Sequence, residues 1–220
     1  SPFRVGLAVH TPTWYELTES TNATMSSDIL AYDSPYSQTL SDHLSSDYLT
    51  YDYKMITPWK FNVSAGTTFG GVLALGAEYE YSNYGAIKLY YEDGDENTLM
   101  NDHTANNLTG QHTLRFGAEK TFGTFYTRLG YNFQTGGYGQ NAWKMLLLNS
   151  VQTNTAYTNL KHTQNITCGV GFRGDVFYAD AALLYSKQKA DFYPFDVLEL
   201  QATSLSRSHV KGVMTLGMRF

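Results

Sequence analysis

The sequence is poor in charged residues, in cysteine and in long apolar runs, and each shortage narrows what the chain can be. Charged residues make up only 16% of its 220 residues, against roughly 25% in ordinary soluble domains. No apolar run reaches the ~18 residues that a transmembrane helix needs. The single cysteine, Cys168, excludes an internal disulfide.

Basic clusters and linker-like segments are missing as well. The formal net charge is -5 and no run of lysines or arginines stands out, which argues against nucleic acid as a partner. Nothing in residues 1–220 marks a domain boundary, so we expect one domain. The chain opens on Ser1 within a strand pattern and without a signal-peptide pattern. We expect that processing removed a leader or that this is the C-terminal part of a longer protein.

Aromatic residues, by contrast, are abundant. Eighteen tyrosines and twelve phenylalanines raise the aromatic fraction to 15%, although the mean hydropathy is only -0.33. Strands that alternate between lipid and a polar interior give a polar average of this kind. The aromatic residues then suit belts at the membrane boundaries.

The last eleven residues, 210–220, show an alternating pattern. One set of alternate residues is mostly apolar and the set between them is polar or small: Val210, Gly212, Met214, Leu216, Met218 and Phe220 against Lys211, Val213, Thr215, Gly217 and Arg219. A period of two is the period of a β-strand. Ending on an aromatic residue is typical of outer-membrane barrels, which place the ring at the membrane boundary.

Similar alternation recurs along the chain and predicts about eight strands. The earlier strands begin near Phe3, Trp59, Leu73, Thr113, Phe125, Asn165 and Phe177. Short turns near Gly70, Gly123 and Gly174 alternate with long polar loops at 19–47, 92–107, 136–158 and 187–205. This alternation of short and long connections predicts an all-β, antiparallel transmembrane β-barrel with both chain ends on the side of the short turns.

A soluble β-sandwich or lipocalin-like barrel is the alternative fold. There, residues such as Phe116, Leu129 and Val170 would pack a dry core. The opposite residues argue against it, because they include a charged series: Arg4, Glu78, Glu80, Arg115, Glu119, Arg128, Asp180, Lys211 and Arg219. A wet barrel interior accommodates mixed charges of this kind when they pair.

Several stretches, taken together, resemble the C-terminal half of the FadL/TodX family, outer-membrane transporters of long-chain fatty acids and other hydrophobic compounds. The matching stretches are FRVGLAVHTPTWY from Phe3, TPWKFNVSAG from Thr57, GAEYEYSNY from Gly76, LRFGAEK from Leu114, TRLGYNF from Thr127, CGVGFRGDVFYADAA from Cys168, and the terminal strand. They cover nearly the whole chain in order.

The resemblance implies a barrel of about 14 strands, plugged by an N-terminal hatch, in the outer membrane of a Gram-negative bacterium. Extracellular loops would capture the ligand, which would leave sideways into the membrane without covalent chemistry. This chain would supply the last eight strands. The hatch and the strand that opens the lateral exit would lie outside the sequence.

Two groups of residues are candidates for contact with a fatty acid. Arg115 and Arg128 flank a short turn and could each bind a carboxylate through a bidentate contact; alternatively they form structural ion pairs in the interior. Apolar residues in two loops could form the walls of a capture site, or pack onto the barrel rim. These are Trp143, Met145, Leu146, Leu147 and Leu148 in one loop and Phe192 and Phe195 in the other.

Metal, cofactor and enzyme signals are weak. None of the six histidines forms a spaced ligand pair, and the segment 93–97 begins like a calcium loop but lacks its later glycine and glutamate. We therefore expect no metal, no cofactor and no enzyme activity. A hemin or ligand receptor is the alternative function, and an outer-membrane lipid-modifying enzyme a more distant one. The expected partners are the lipid bilayer and hydrophobic small molecules; the sequence does not indicate an oligomeric state.

Overall fold

The computed structural model describes residues 3–33, 36–140, 142, 156–195 and 199–218, and leaves the side chains of 30–33 and 36–39 undescribed. These residues form thirteen strands and one α-helix, α1 (Thr98–Asn107). The strands are β1 (Phe3–His10), β2 (Trp14–Thr21), β3 (Thr24–Asp33), β4 (Tyr36–Ser45), β5 (Leu49–Ile56), β6 (Lys60–Phe69), β7 (Leu73–Asn83), β8 (Lys88–Tyr91), β9 (Gly110–Phe122), β10 (Phe125–Thr135), β11 (Tyr157–Arg173), β12 (Phe177–Tyr193) and β13 (Thr203–Met218).

One antiparallel sheet of eight strands dominates the structure. Its order is β1-β6-β7-β9-β10-β11-β12-β13, and these are the eight strands that the alternation predicts. The all-β, antiparallel prediction is therefore confirmed. Within the described residues the sheet is open, with β1 and β13 at its two edges.

The register keeps the predicted apolar residues on one face across all eight strands. One row of paired residues runs from Phe3 through Thr67, Leu75, Ala118, Leu129, Cys168 and Leu183 to Gly212. The adjacent row runs from Arg4 through Gly66, Gly76, Gly117, Gly130, Thr167 and Leu184 to Lys211. Because successive side chains point to opposite sides of a strand, the first row marks what we term the apolar face and the second marks the polar face.

Three short turns connect neighbouring strands at one end of the sheet, which we term the short-turn end. Gly70 and Gly71 have φ values of 54° and 69° in the turn between β6 and β7. Positive φ at two central residues matches the right-handed twist of a hairpin, and glycine adopts it without a steric penalty. The opposite end, where β7, β10 and β12 finish, is the long-loop end.

The prediction of an aperiodic loop over 19–47 is wrong. That segment contains the end of β2 together with β3 and β4, which pair with each other from Thr24↔Ser45 to Asp33↔Tyr36. β2 pairs with β5, and β5 pairs with β8, in a second, three-stranded sheet. The strand period is weak here because Ser27 and Asp42 interrupt the one apolar face of this hairpin, which carries Met25, Ile29, Leu40 and Leu44.

Two other loop predictions need correction. The segment 92–107 includes α1, and the segment 187–205 is mostly strand, because β12 runs to Tyr193 and β13 begins at Thr203. Pro58 lies in the break between β5 and β6, a position that suits proline because it has no backbone N–H to donate to a neighbouring strand. No described helix is both long enough and apolar enough to cross a membrane.

Candidate functional site

The apolar face is largely exposed. Phe116, Leu129 and Val170 are 50%, 64% and 60% exposed, so they do not pack into a protein core in this structure. An open recess of about 640 Å³ lies on this side of the sheet around the small side chains of Ala65, Ala77 and Ala118. Its walls are Phe3, Leu75, Phe116, Leu129, Tyr131 and Ile166.

Arg115 is the centre of one charge cluster on the polar face. It lies on β9 directly opposite Glu78 of β7 and forms ion pairs with Glu78 and, at 3.2 Å, with Glu80. Lys60 of β6 continues the cluster, with its amine 3.5 Å from Glu80. The guanidinium of Arg115, a predicted contact for a fatty-acid carboxylate, is therefore already paired with two carboxylates of the protein.

Arg128 is the centre of a second cluster, nearer the short-turn end. Its Nε lies 2.6 Å from Glu119, the residue opposite it on β9. Its Nη1 lies 3.9 Å from Asp180, two strands away on β12. The structure thus places Arg115 and Arg128 on the same face but in separate clusters, each balanced by acids.

Tyr126 links β10 to β12 in a way that the sequence does not reveal. Its hydroxyl donates a hydrogen bond to Asp180 across the intervening strand β11. The ring passes over Gly171, where a Cβ atom would overlap it. The guanidinium of Arg128 lies 4.5 Å from the ring centroid, which adds a cation–π contact. The signal for this link is the pairing of Tyr126 directly opposite Gly171, which is visible only once the register of the strands is known.

The polar face also has a central row without side chains. Gly66, Gly76, Gly117 and Gly130 are consecutive neighbours across four strands. The Arg115 cluster lies on one side of this row and the Glu119–Arg128 pair on the other. A recess of about 520 Å³ lies over Gly66, Gly76 and Gly117, and its rim includes Arg4, Glu78 and Arg115.

At the long-loop end, α1 fastens β8 through one buried side chain. Asn101 accepts a hydrogen bond from the Leu89 amide at 2.7 Å and donates to the Leu89 carbonyl at 3.1 Å. Asn101 also donates to Glu96 at 3.0 Å, and Lys88 donates to Glu96 at 2.7 Å. The hydrogen bond with Lys88 lowers the pKa of Glu96, and the same bond raises the pKa of Lys88.

The predicted capture walls are only partly visible. Trp143, Met145, Leu146, Leu147 and Leu148 lie outside the described residues. In the other loop, Phe192 is half-buried near the end of β12, whereas Phe195 lies beyond the strand and is 47% exposed. Phe195 is therefore a described apolar side chain free to meet a ligand at this end.

The histidines do not converge in the described part of the chain. The Nδ1 atom of His112 lies 2.7 Å from the Tyr79 hydroxyl, and His162 contacts the Phe133 ring at 5.7 Å between centroids. No group of three or more His, Cys, Asp and Glu side chains among the described residues is arranged to hold a metal ion. In the segment that resembles a calcium loop, Asp93 instead accepts a hydrogen bond from the Asp95 amide at 3.0 Å.

The chain matches no protein-family model, and no curated protein sequence or solved structure matches it either. The candidate site is therefore defined by its geometry alone: an exposed apolar face, an opposite face with two paired charge clusters, and apolar side chains at the long-loop end.

Proposed function

We propose that the eight-stranded sheet is part of the wall of an outer-membrane β-barrel that passes hydrophobic compounds, such as long-chain fatty acids, across the membrane without covalent chemistry. The apolar face meets lipid, and the polar face lines the interior. The edge strands β1 and β13 carry the unpaired backbone groups through which the wall continues.

One observation carries this proposal: the apolar face is continuous over eight strands, and no second layer of the described structure covers it. Leu7 on β1, Leu129 on β10 and Met214 on β13 are 78%, 64% and 75% exposed. Monomeric soluble proteins rarely expose contiguous apolar patches larger than a few hundred Å². A lipid bilayer accounts for the whole face at once, because outward apolar and inward polar residues alternate in every strand of a membrane barrel.

The pairing of charges on the polar face supports an interior that holds water. Arg115 and Arg128 each have carboxylate partners within the sheet, so neither leaves an unbalanced charge. Their contact with a fatty-acid carboxylate requires exchange of one of these partners for the ligand. In this proposal the two arginines offer successive weak carboxylate sites along the path.

Capture begins at the long-loop end. Phe195 offers exposed apolar surface there for an acyl chain. The residues predicted to form the other wall, Trp143, Met145, Leu146, Leu147 and Leu148, lie outside the described residues. Transfer then follows differences in ligand affinity along the path and needs no energy source. The direction is set by the concentration gradient of the free ligand.

Uptake in cells tests the proposal. The full chain is expressed in a Gram-negative host that lacks its own outer-membrane fatty-acid transporter, and entry of radiolabelled oleate is compared with that of radiolabelled glucose. We expect oleate entry to rise with the amount of protein in the outer membrane while glucose entry stays constant. Outer-membrane protein without any gain in oleate entry would overturn the transport proposal.

A further inference from the structure

A basic patch lies on the outside of the sheet, directly beyond the apolar residues of β12. The outward residues of β12 are apolar from Phe177 to Tyr185 and then change to Lys187 and Lys189. Because loop 187–205 is mostly strand, these lysines have fixed positions in the sheet. Lys187 pairs with Gln164, and Lys189 pairs with His162.

The position of this patch coincides with a membrane boundary. The segment from Phe177 to Tyr185 has the length, roughly 9 residues, that a tilted strand needs to cross the hydrocarbon layer. Tyr185 ends it with an aromatic residue of the type found at membrane interfaces. Lys187 and Lys189 then lie at the level of the lipid headgroups, on the side of the long-loop end.

The surroundings of the two lysines are polar, and the one acid on the same face of β12, Asp191, already has a cationic partner. The neighbouring outward residues on β13 are Ser208, opposite Lys187, and Ser206, opposite Lys189. No described ion pair satisfies either lysine; the nearest acid on β12, Asp191, is paired with Lys161 at 3.0 Å. On one face of a strand, Lys187 and Lys189 are only about 7 Å apart, so their charges repel each other unless an anion lies between them.

We propose that this headgroup patch, formed by Lys187, Lys189, His162, Gln164, Ser206 and Ser208, binds the phosphate of an anionic membrane lipid. The acyl chains of that lipid lie against the apolar face below Tyr185. The lysines supply charge, and the amide, imidazole and hydroxyl groups supply hydrogen bonds. The inference rests on the proposed placement of the apolar face in a bilayer and adds a lipid partner of defined chemistry.

Lipid selectivity in a bilayer tests the inference. The full chain is reconstituted into phosphatidylcholine vesicles that contain a trace of phosphatidic acid or phosphatidylcholine, each spin-labelled near the end of an acyl chain. The motionally restricted component of the spectrum gives the relative association constant of the two lipids. One lysine near an anionic headgroup gives about a fivefold preference for an anionic over a zwitterionic lipid. The wild-type protein should therefore prefer phosphatidic acid over phosphatidylcholine at least fivefold.

The variant Lys187→Gln/Lys189→Gln should lose this preference, with a ratio near one. The matched control is Arg207→Gln/Lys211→Gln, which removes two positive charges from the polar face of the neighbouring strand β13 and should keep the preference. An unchanged restricted component for labelled phosphatidylcholine checks that both variants are folded in the bilayer.

Failure of the proposed function and failure of the headgroup patch give different results. If no labelled lipid shows a restricted component, the apolar face does not meet lipid and the proposed function fails with it. If labelled phosphatidylcholine is restricted but the wild-type protein shows no preference for phosphatidic acid, the headgroup patch is wrong. A preference that survives in Lys187→Gln/Lys189→Gln contradicts it equally.

Discussion

The hydroxyl of Tyr126 donates a hydrogen bond to the carboxylate of Asp180 across a whole strand, over the α-carbon of Gly171. Tyr126 is 6% exposed, although it lies on a sheet with little buried apolar surface. The link is possible only because β11 has no side chain at the crossing point. It fastens three strands near the short-turn end without any second layer.

This relationship predicts that Gly171→Ala is destabilising. The new methyl group overlaps the Tyr126 ring, so the ring must move and the hydrogen bond to Asp180 is lost. We expect a loss of about 1–3 kcal/mol in the free energy of unfolding, measured by urea titration in micelles. Gly117→Ala is the matched control, because a Cβ atom there meets nothing within 4 Å. Equal losses in both variants would show that the crossing is unimportant.

The Arg115 cluster predicts a non-additive pair of substitutions. Arg115→Met leaves Glu78 and Glu80 on the same face of β7 without their shared cation, whereas Arg115→Met/Glu78→Gln removes one of the two acids as well. Since the side chains of Arg115 and Glu78 are 40% and 34% exposed, we expect a coupling energy of only about 1 kcal/mol. A double-mutant cycle from urea unfolding measures it. Strict additivity would mean that the pair does not interact.

The Lys88–Glu96 pair predicts a pH dependence outside the main sheet. The pKa of Glu96 is lowered in the folded state. The ion pair therefore stabilises β8 fully when the pH is above the unfolded pKa of this carboxylate. That stabilisation is lost as the pH falls through the lower, folded pKa. The hydrogen-exchange protection factor of the Leu89 amide should therefore fall below about pH 4.5.

Glu96→Gln should remove most of that pH dependence, while Glu92→Gln, which changes a nearby acid of the same loop, should preserve it. Protection of Leu89 that is the same at neutral and acidic pH in the wild-type protein would contradict the role of the pair.

Phe195 predicts a loss of ligand affinity at the long-loop end. Burial of a phenylalanine side chain against a ligand is worth about 1.5–3 kcal/mol, so Phe195→Ser should weaken binding of a fluorescent fatty acid by at least about tenfold. The control is Val176→Ser, which replaces an exposed apolar residue at the opposite end of the sheet. Unchanged affinity in Phe195→Ser would remove this loop from the capture site.

The strands of the main sheet were predictable because each of the eight carries a local signal, the alternation of apolar and polar residues. The β3–β4 hairpin was not, because Ser27 and Asp42 interrupt its apolar face. They separate the pair Met25 and Leu44 from the pair Ile29 and Leu40. The extension of β12 through Lys187 and Lys189 is also hard to predict, because a change from apolar to basic residues resembles the start of a loop.

The candidate site shows a similar division. The sequence places Arg115 and Arg128 on the polar face correctly, since side-chain direction follows from strand period. It does not give their partners, because the pairing of Arg115 with Glu78 and of Tyr126 with Asp180 depends on the register between strands. The residues 143–148 lie outside the described part of the chain, so their role stays a prediction.

The sidedness of the sheet is tested most directly by a nitroxide scan along β13 in vesicles. Residues 209–216 are replaced one at a time by a spin-labelled cysteine, in a background in which the single native cysteine is removed by Cys168→Ser. Accessibility to oxygen reports lipid, and accessibility to a polar nickel chelate reports water. We predict oxygen maxima at positions 210, 212, 214 and 216 and chelate maxima at 209, 211, 213 and 215, even though residue 213 is a valine. Accessibility without a period of two, or with the opposite phase, would contradict the account.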